Sequence, residues 1–299
     1  MERIFEYLVD CDCTIESFLK GKGYSSRICN LLKKELGLVM VNDKPVFVVA
    51  QVKKGDTLKV ILKENPSKID TFAYELDIVY EDEDIAVINK MADIAVISTN
   101  AHYGKSLMNA LAYRWGNFVY HPVNRLDKGT SGLMIVAKNS LAHSILSNQI
   151  ASDKYSYNKQ VQREYIALVH NFDSELASSG KVIADIGVPN GNSLVRGVVE
   201  SGGKYAETTY EVIQSFSDFS IVRLILATGR THQIRVHMAH IGHPLLGDDL
   251  YGGSKELIAR PALHSAKLTF THPITKKFIE LSSNIPEDMQ SIVDKYSKY

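Results

Sequence analysis

The 299-residue chain is 45% hydrophobic and 23% charged, close to globular averages, which excludes a disordered or fibrous protein and leaves room for one small and one large domain. Its formal net charge is zero, which taken alone argues mildly against a nucleic-acid partner. The mean hides an asymmetry, because residues 14–63 hold ten Lys/Arg against four Asp/Glu, a net of +6, and the rest must offset it. A basic module beside a mildly acidic body suits a protein that works on nucleic acid. Lys-rich helix faces that serve only solubility would give the same numbers.

The first ten residues carry Glu2, Glu6 and Asp10 where a signal peptide would need an apolar run, and no later segment has membrane-spanning length. The expectation is a cytoplasmic protein with no membrane partner. Cys11, Cys13 and Cys29 lack zinc-ligand spacing and are odd in number, so they read as reduced, non-catalytic thiols.

Ile15, Phe18, Leu19, Ile28, Leu31, Leu32 and Leu36 fall at helical spacing, interrupted by Gly21-Lys22-Gly23 and restarted at Ser25-Ser26. The pattern predicts two short helices. Small strands follow at Leu38–Val41, Val46–Val49 and Leu58–Leu62, separated by the turns Asn42–Pro45 and Lys54–Asp56. The pattern lapses around Glu64–Ser67, which is the expected boundary between a small domain over 12–65 and a larger one over 70–295.

In the larger segment, Ile78–Tyr80 and Ile85–Ile88 predict a hairpin and Ser106–Trp115 a helix. Leu133–Ala137 predicts a buried strand, and Leu141–Ile150 an amphipathic helix. Further strands are expected at Tyr165–Val169, Val182–Ile186, Ala206–Ile213 and Ile221–Leu226. Strands in runs, not alternating one-to-one with helices, favour an α+β fold with a mixed, mostly antiparallel sheet.

The stretch His121-Pro122-Val123-Asn124-Arg125-Leu126-Asp127-Lys128-Gly129-Thr130-Ser131-Gly132-Leu133 sets a carboxylate between two cations, ahead of a turn that opens a buried strand. A supported loop of this kind displays reactive groups, and its cations favour the ionised carboxylate. An Asp there can equally do no more than accept backbone hydrogen bonds. Thr231 is placed to cap a helix over His232–Ile241 with an apolar stripe of Ile234, Met238 and Ile241, ended by Gly242 and presenting Arg235. His232, His237, His240 and His243 invite a metal reading, but His240 falls on another face from His232 and no H-E-x-x-H pattern is present. No metal site is expected. Gly252-Gly253-Ser254-Lys255 lacks the leading glycine of a phosphate loop.

Arg125-Leu126-Asp127 with Thr130-Ser131-Gly132-Leu133 and Ala137-Lys138 resembles the signature of RluA-type pseudouridine synthases. The resemblance continues in order through Arg163–Val169, Gly229–His237, Gly242–Asp248, Tyr251-Gly252, Leu263-His264 and Phe270–Pro273. Thr14–Leu62, with Phe18-Leu19, Ser25-Ser26-Arg27 and Val41–Pro45, is similar to a small RNA-binding module named after a ribosomal small-subunit protein. One departure is plain: the family's first motif frequently has His where this chain has Asn124.

The resemblance implies an α+β protein in which a helix–helix–strand RNA-binding module precedes a pseudouridine synthase domain that isomerises uridine in structured RNA without a cofactor. It implies Asp127 as catalytic carboxylate, Tyr165 stacking on a flipped-out base and Arg235 pairing with Asp127. Arg125 would fill the space the base vacates, and Arg230, Lys20, Lys22, Arg27, Lys33 and Lys34 would contact RNA. Large-subunit ribosomal RNA is the first expected substrate and transfer RNA the second, with the protein a monomer. An RNA-binding or ribosome-assembly factor without catalysis and a base-removing glycosylase are the alternatives.

Overall fold

The computed structural model describes residues 2–64, 69–98, 104–116, 119–150, 161–172, 174–189 and 195–297. The small module opens with strand β1 (Glu2–Leu8), followed by β2 (Cys13–Thr14), α1 (Ile15–Gly21), α2 (Ser26–Leu32), β3 (Val39–Val41), β4 (Lys44–Pro45), β5 (Gln51–Val52) and β6 (Thr57–Lys63). Its helices start where short hydroxyl side chains occupy the N-caps. Thr14 accepts the Ser17 amide and Ser25 the Ile28 amide.

β1 was not expected ahead of the helices; it pairs antiparallel with β6 in a sheet ordered β1-β6-β3-β4. The strand expected over Val46–Val49 is absent. Asn42 and Asp43 both take positive φ, 50° and 62°, which closes a two-residue hairpin so that pairing resumes at once on Lys44 and Pro45. Val46 to Ala50 are then free to turn back toward α1, where Val48 and Ala50 carbonyls receive the Glu16 and Ile15 amides.

The module does not close its core alone. Leu141 belongs to its apolar cluster, and Ile145 and Ile274 pack against that cluster from the larger segment. Arg3 is ion-paired to Glu83 and Asp84, Ser144 Oγ donates to the Gly23 carbonyl at 2.9 Å, and Glu64 accepts the Ser140 amide at 2.8 Å. The boundary expected at Glu64–Ser67 lies mostly outside the described residues, which stop at 64 and resume at 69.

The larger segment runs β7 (Asp77–Glu81), β8 (Ile85–Lys90), α3 (Leu107–Trp115), β9 (His121–Pro122), β10 (Ser131–Ala137), α4 (Ser140–Ile150), β11 (Gln162–His170), β12 (Ser179–Ile183), β13 (Ile186–Gly187), β14 (Gly197–Val198), β15 (Glu207–Ser215), β16 (Phe219–Leu226), α5 (Gln233–His240), β17 (Leu263–Thr271), β18 (Phe278–Ser282) and α6 (Glu287–Tyr296). Ten strands form one sheet ordered β12-β15-β16-β11-β17-β10-β8-β7, with β18 on β17 and β9 on β10. Its pairings are antiparallel except β10–β17, which run parallel through Ser131–His264 and Gly132–Ser265. The fold is α+β, as expected. The strand expected over Val182–Ile186 is split between β12 and β13.

α3 and α5 cover one part of the sheet through Leu107, Leu111, Ile234 and Met238. α4 covers another through Ala142 and Leu146, and α6 a third through Met289 and Ile292. Every residue of β10 is buried, which explains its unbroken apolar run.

Candidate active site

Asp127 stands in the loop between β9 and β10, and buried side chains hold that loop from behind. Asn124, at the position where the resembling family often has His, turns inward and accepts the Ile135 amide through Oδ1 at 2.8 Å. Ser131 Oγ meets His264 Nδ1 at 2.9 Å. Gly132 has φ +109°, and a Cβ there would overlap the Ser265 backbone, so only glycine lets β10 approach β17 this closely. Lys90, 1% exposed, donates to the carbonyls of Met91, Ile94 and Lys128 at 2.7, 2.9 and 3.2 Å. Three carbonyls match the three donors of an ammonium, while burial pushes the group down to about 7.

The Asp127 side chain is one-third exposed and receives no backbone hydrogen bond among the described residues. It therefore faces the cleft and does not close its own turn. Arg235 Nη1 lies 3.5 Å from Asp127 Oδ2, and His232 Nε2 lies 3.7 Å from the same oxygen.

α5 carries Arg235, but its start differs from expectation. His232, not Thr231, is the N-cap residue, with φ 59° and ψ 18° in the left-handed region and no side-chain cap. Gln233 braces the turn that leads into the helix. Its Oε1 accepts the Arg230 amide and the Thr228 hydroxyl, and its Nε2 donates to the Glu207 carbonyl. Arg235 is also shared more widely than expected. Its Nε and Nη2 form two 2.7 Å bonds to Asp248, whose side chain is 0% exposed, and its guanidinium lies over the Tyr251 ring at 5.0 Å. A bidentate pair of this kind fixes the plane of the guanidinium, leaving Nη1 directed at Asp127.

Tyr165 comes from β11 at a bulge: Glu164 pairs with Lys267 and Tyr165 with Ser265, so Ala266 is skipped. Bulges re-aim side chains, and this one sets Tyr165 against the cleft, with its hydroxyl near Ser265. Burial raises the phenol above its usual range, only partly opposed by Arg163, so the hydroxyl is neutral. The cleft has a volume of about 750 Å³ and brings Asp127, Tyr165 and Arg235 together with Arg125 and Arg230, within the size range of small-molecule sites. Arg125 is exposed at its rim; Arg230 Nε donates to the Tyr205 carbonyl at 2.9 Å.

The five cations of the module are set apart from this cleft. Lys20 and Lys33 both pair with Glu16, at 3.0 and 2.8 Å, and Lys22 pairs with Asp10 at 3.4 Å. Arg27 and Lys34 make no ion pair among the described residues. Arg27 lines a second cleft of about 510 Å³ at the seam between module and body, with His121, His143, Ser147 and Asn148.

The four histidines that invited a metal reading diverge. His237 Nδ1 meets Thr208, His243 Nδ1 meets the His170 carbonyl and His232 Nδ1 meets Tyr251. Elsewhere Asp82, Asp84 and His272 converge, but Asp82 already accepts two amides, Tyr80 and His272, and Asp84 accepts Arg3 and Asn139. Asp248, Lys90 and Tyr251 were not read as site residues from sequence. Asp248 and Tyr251 lie inside a matched motif, and a lysine ending the apolar run of β8 was a visible signal.

The loop ahead of β10 brings the cleft its carboxylate, β11 its tyrosine and α5 its arginine, and set beside its relatives the chain falls in the class of RNA-modifying isomerases. Residues 84–240 match the family described as RNA pseudouridylate synthase, and the chain belongs to that family, whose members are isomerases acting on RNA. It is 37% identical over 286 residues to the uncharacterized RNA pseudouridine synthase YjbO of Bacillus subtilis, covering 94% of this chain and 98% of that protein. It is 34% identical over 280 residues to ribosomal large subunit pseudouridine synthase D of Haemophilus influenzae, covering 87% and 83%. In fold it resembles human RNA pseudouridylate synthase domain containing 4, with TM-score 0.58, 20% identity and 74% and 93% of the two chains covered.

Proposed function

We propose that this protein converts specific uridines of large-subunit ribosomal RNA to pseudouridine, with Asp127 as the catalytic carboxylate acting on a flipped-out nucleotide. The observation that carries the reading is a single one: a partly exposed carboxylate on a rigidly braced loop, faced by Arg235 across the cleft and flanked by Tyr165. The ribosomal choice rests on relatives named as large-subunit enzymes; transfer RNA is the second choice.

The reaction breaks the bond from the ribose anomeric carbon to N1 and forms one to C5 of the same base. The C5 proton leaves and N1 gains one, so no electrons change hands and no redox cofactor is needed. The base must leave its stack to be reached, and Tyr165 offers a face for it. Asp127 serves either as nucleophile at the anomeric carbon or as the group that assists glycal formation, and Arg235 orients it. Arg125, at the rim, fills the gap left by the base. Residues 12–65 would extend the RNA contact through Arg27, which lines the seam cleft.

Mapping pseudouridines in ribosomal and transfer RNA from a strain lacking the gene tests this. Loss of particular ribosomal sites, restored by the parent chain, supports it; loss confined to transfer RNA would move the substrate. Mass spectrometry separates isomerisation, which conserves RNA mass, from base removal, which lowers it, and from binding alone.

A further inference from the structure

Two features of His232 are unexplained by helix formation. Its backbone sits in the left-handed region, at φ 59°, which few residues other than glycine adopt, asparagine, aspartate and histidine being the commonest of them. At the N-cap of α5 it also makes no cap hydrogen bond. Its ring is turned toward the cleft, which it lines. An uncommon backbone conformation kept where the helix gains no cap from it points to a use of the side chain.

The partners of the ring define that use. Tyr251 Oη accepts the Arg196 amide at 3.1 Å and lies 2.8 Å from His232 Nδ1. The phenol has one hydrogen to give and Nε2 faces a carboxylate, which accepts, so both ring contacts become donor–acceptor pairs when the phenol donates to Nδ1 and the imidazole proton resides on Nε2. That nitrogen is the one 3.7 Å from Asp127 Oδ2. Arg235 approaches the same oxygen at 3.5 Å, and both donors leave Oδ1 unengaged among the described residues. The charged groups facing the ring are Asp127, Arg235, Asp248 and Arg196, with Tyr251 beside them. Burial holds the imidazole below its ordinary range, in the neutral form in which a fixed tautomer matters.

We propose that His232 is a positioning residue: its Nε2–H, fixed by Tyr251, pins Oδ2 of Asp127 together with Arg235 so that Oδ1 is the oxygen presented to substrate. The inference rests on the reading of Asp127 as the catalytic carboxylate. Both contacts are long, as catalytic hydrogen bonds often are until the reacting complex tightens them.

The test compares His232→Asn, His232→Gly and His232→Gln with the parent and with Asp127→Asn. Each is assayed under single-turnover conditions by release of tritium from total RNA, ribosomal and transfer, labelled at uridine C5 and prepared from a strain lacking the gene. Asn and Gly tolerate the left-handed backbone, so both variants should melt at or above the parent temperature and bind this RNA with parental affinity. Their rate should nonetheless fall by about a hundredfold, the scale of a misplaced reacting group. His232→Gln, which keeps an N–H at similar reach, should recover part of that loss. His232→Asn at the parent rate, with Asp127→Asn inactive, overturns this inference alone, as does a rate loss that only follows lost stability or affinity. A parent that releases no tritium, or an Asp127→Asn that releases it normally, overturns the catalytic reading and this inference with it.

Discussion

Asp127 and Arg235 are 108 residues apart in the chain, yet the arginine is anchored chiefly to Asp248. This changes what its removal should do. Arg235→Ala leaves a fully buried carboxylate without its partner, a loss on the order of 3–5 kcal/mol, so the variant should be unstable as well as slow. Pairing it with Asp248→Asn should return much of the stability and none of the activity, measured by denaturant unfolding beside turnover. If activity returned with stability, Arg235 would be a purely structural residue. Arg230→Ala should be milder in both assays. Tyr165→Phe keeps the ring and removes the hydroxyl; a large fall in rate at constant RNA affinity would mark that hydroxyl as chemical, and an unchanged rate would restrict it to packing on the base. That Asp127, Tyr165 and Arg235 belong together was legible in sequence because each sits in an ordered motif, and the three line one cleft. Asp248 and Lys90 were not given roles, because theirs arise only from tertiary pairing.

The elements that hold these residues share an acid-sensitive feature. His237 on α5 and His264 on β17 are buried, bonded to Thr208 and Ser131, and burial pushes both down to about 4 from an ordinary 6.5. Between those values the unfolded chain takes up protons that the folded one does not. Folding stability should therefore fall as pH drops from 6.5 toward 4, by about 1.4 kcal/mol per pH unit for each group that titrates only when unfolded. Urea unfolding of parent and His264→Gln across that range checks this; equal slopes in the two proteins would contradict it. α1, α2 and α3 were legible because Thr14, Ser25 and Ser106 mark their starts, whereas α6, which has no side-chain cap, was not assigned. β1, β17 and β18 were not assigned: β1 is an edge strand with one buried residue, and β18 alternates only between exposed and half-buried. The left-handed start of α5 was beyond any pattern, since it is set by contacts of His232 and Gln233 with distant strands and loops.

Across the whole molecule, the +6 of residues 14–63 is smaller in effect than in number, because Lys20, Lys22 and Lys33 have acidic partners within the module. Phosphates meeting Lys20 or Lys33 must displace Glu16, whereas Arg27 and Lys34 are open. Arg27→Ala and Lys34→Ala should each lower the salt slope of RNA binding by about 0.7 to 0.9, using values for nucleic-acid strands and duplexes, and Lys20→Ala by less. Equal slopes in all three would mean these cations form a solvated face. The full chain is the right material for this, because deleting residues 1–65 would uncover Leu141, which is 1% exposed and packed in the module's core. The most direct measurement of the central claim is a pseudouridine map of ribosomal RNA from cells whose gene encodes Asp127→Asn. The account predicts that the sites made by the parent protein return to uridine while the variant accumulates as a folded, RNA-binding protein. Parental pseudouridine at those sites would contradict it.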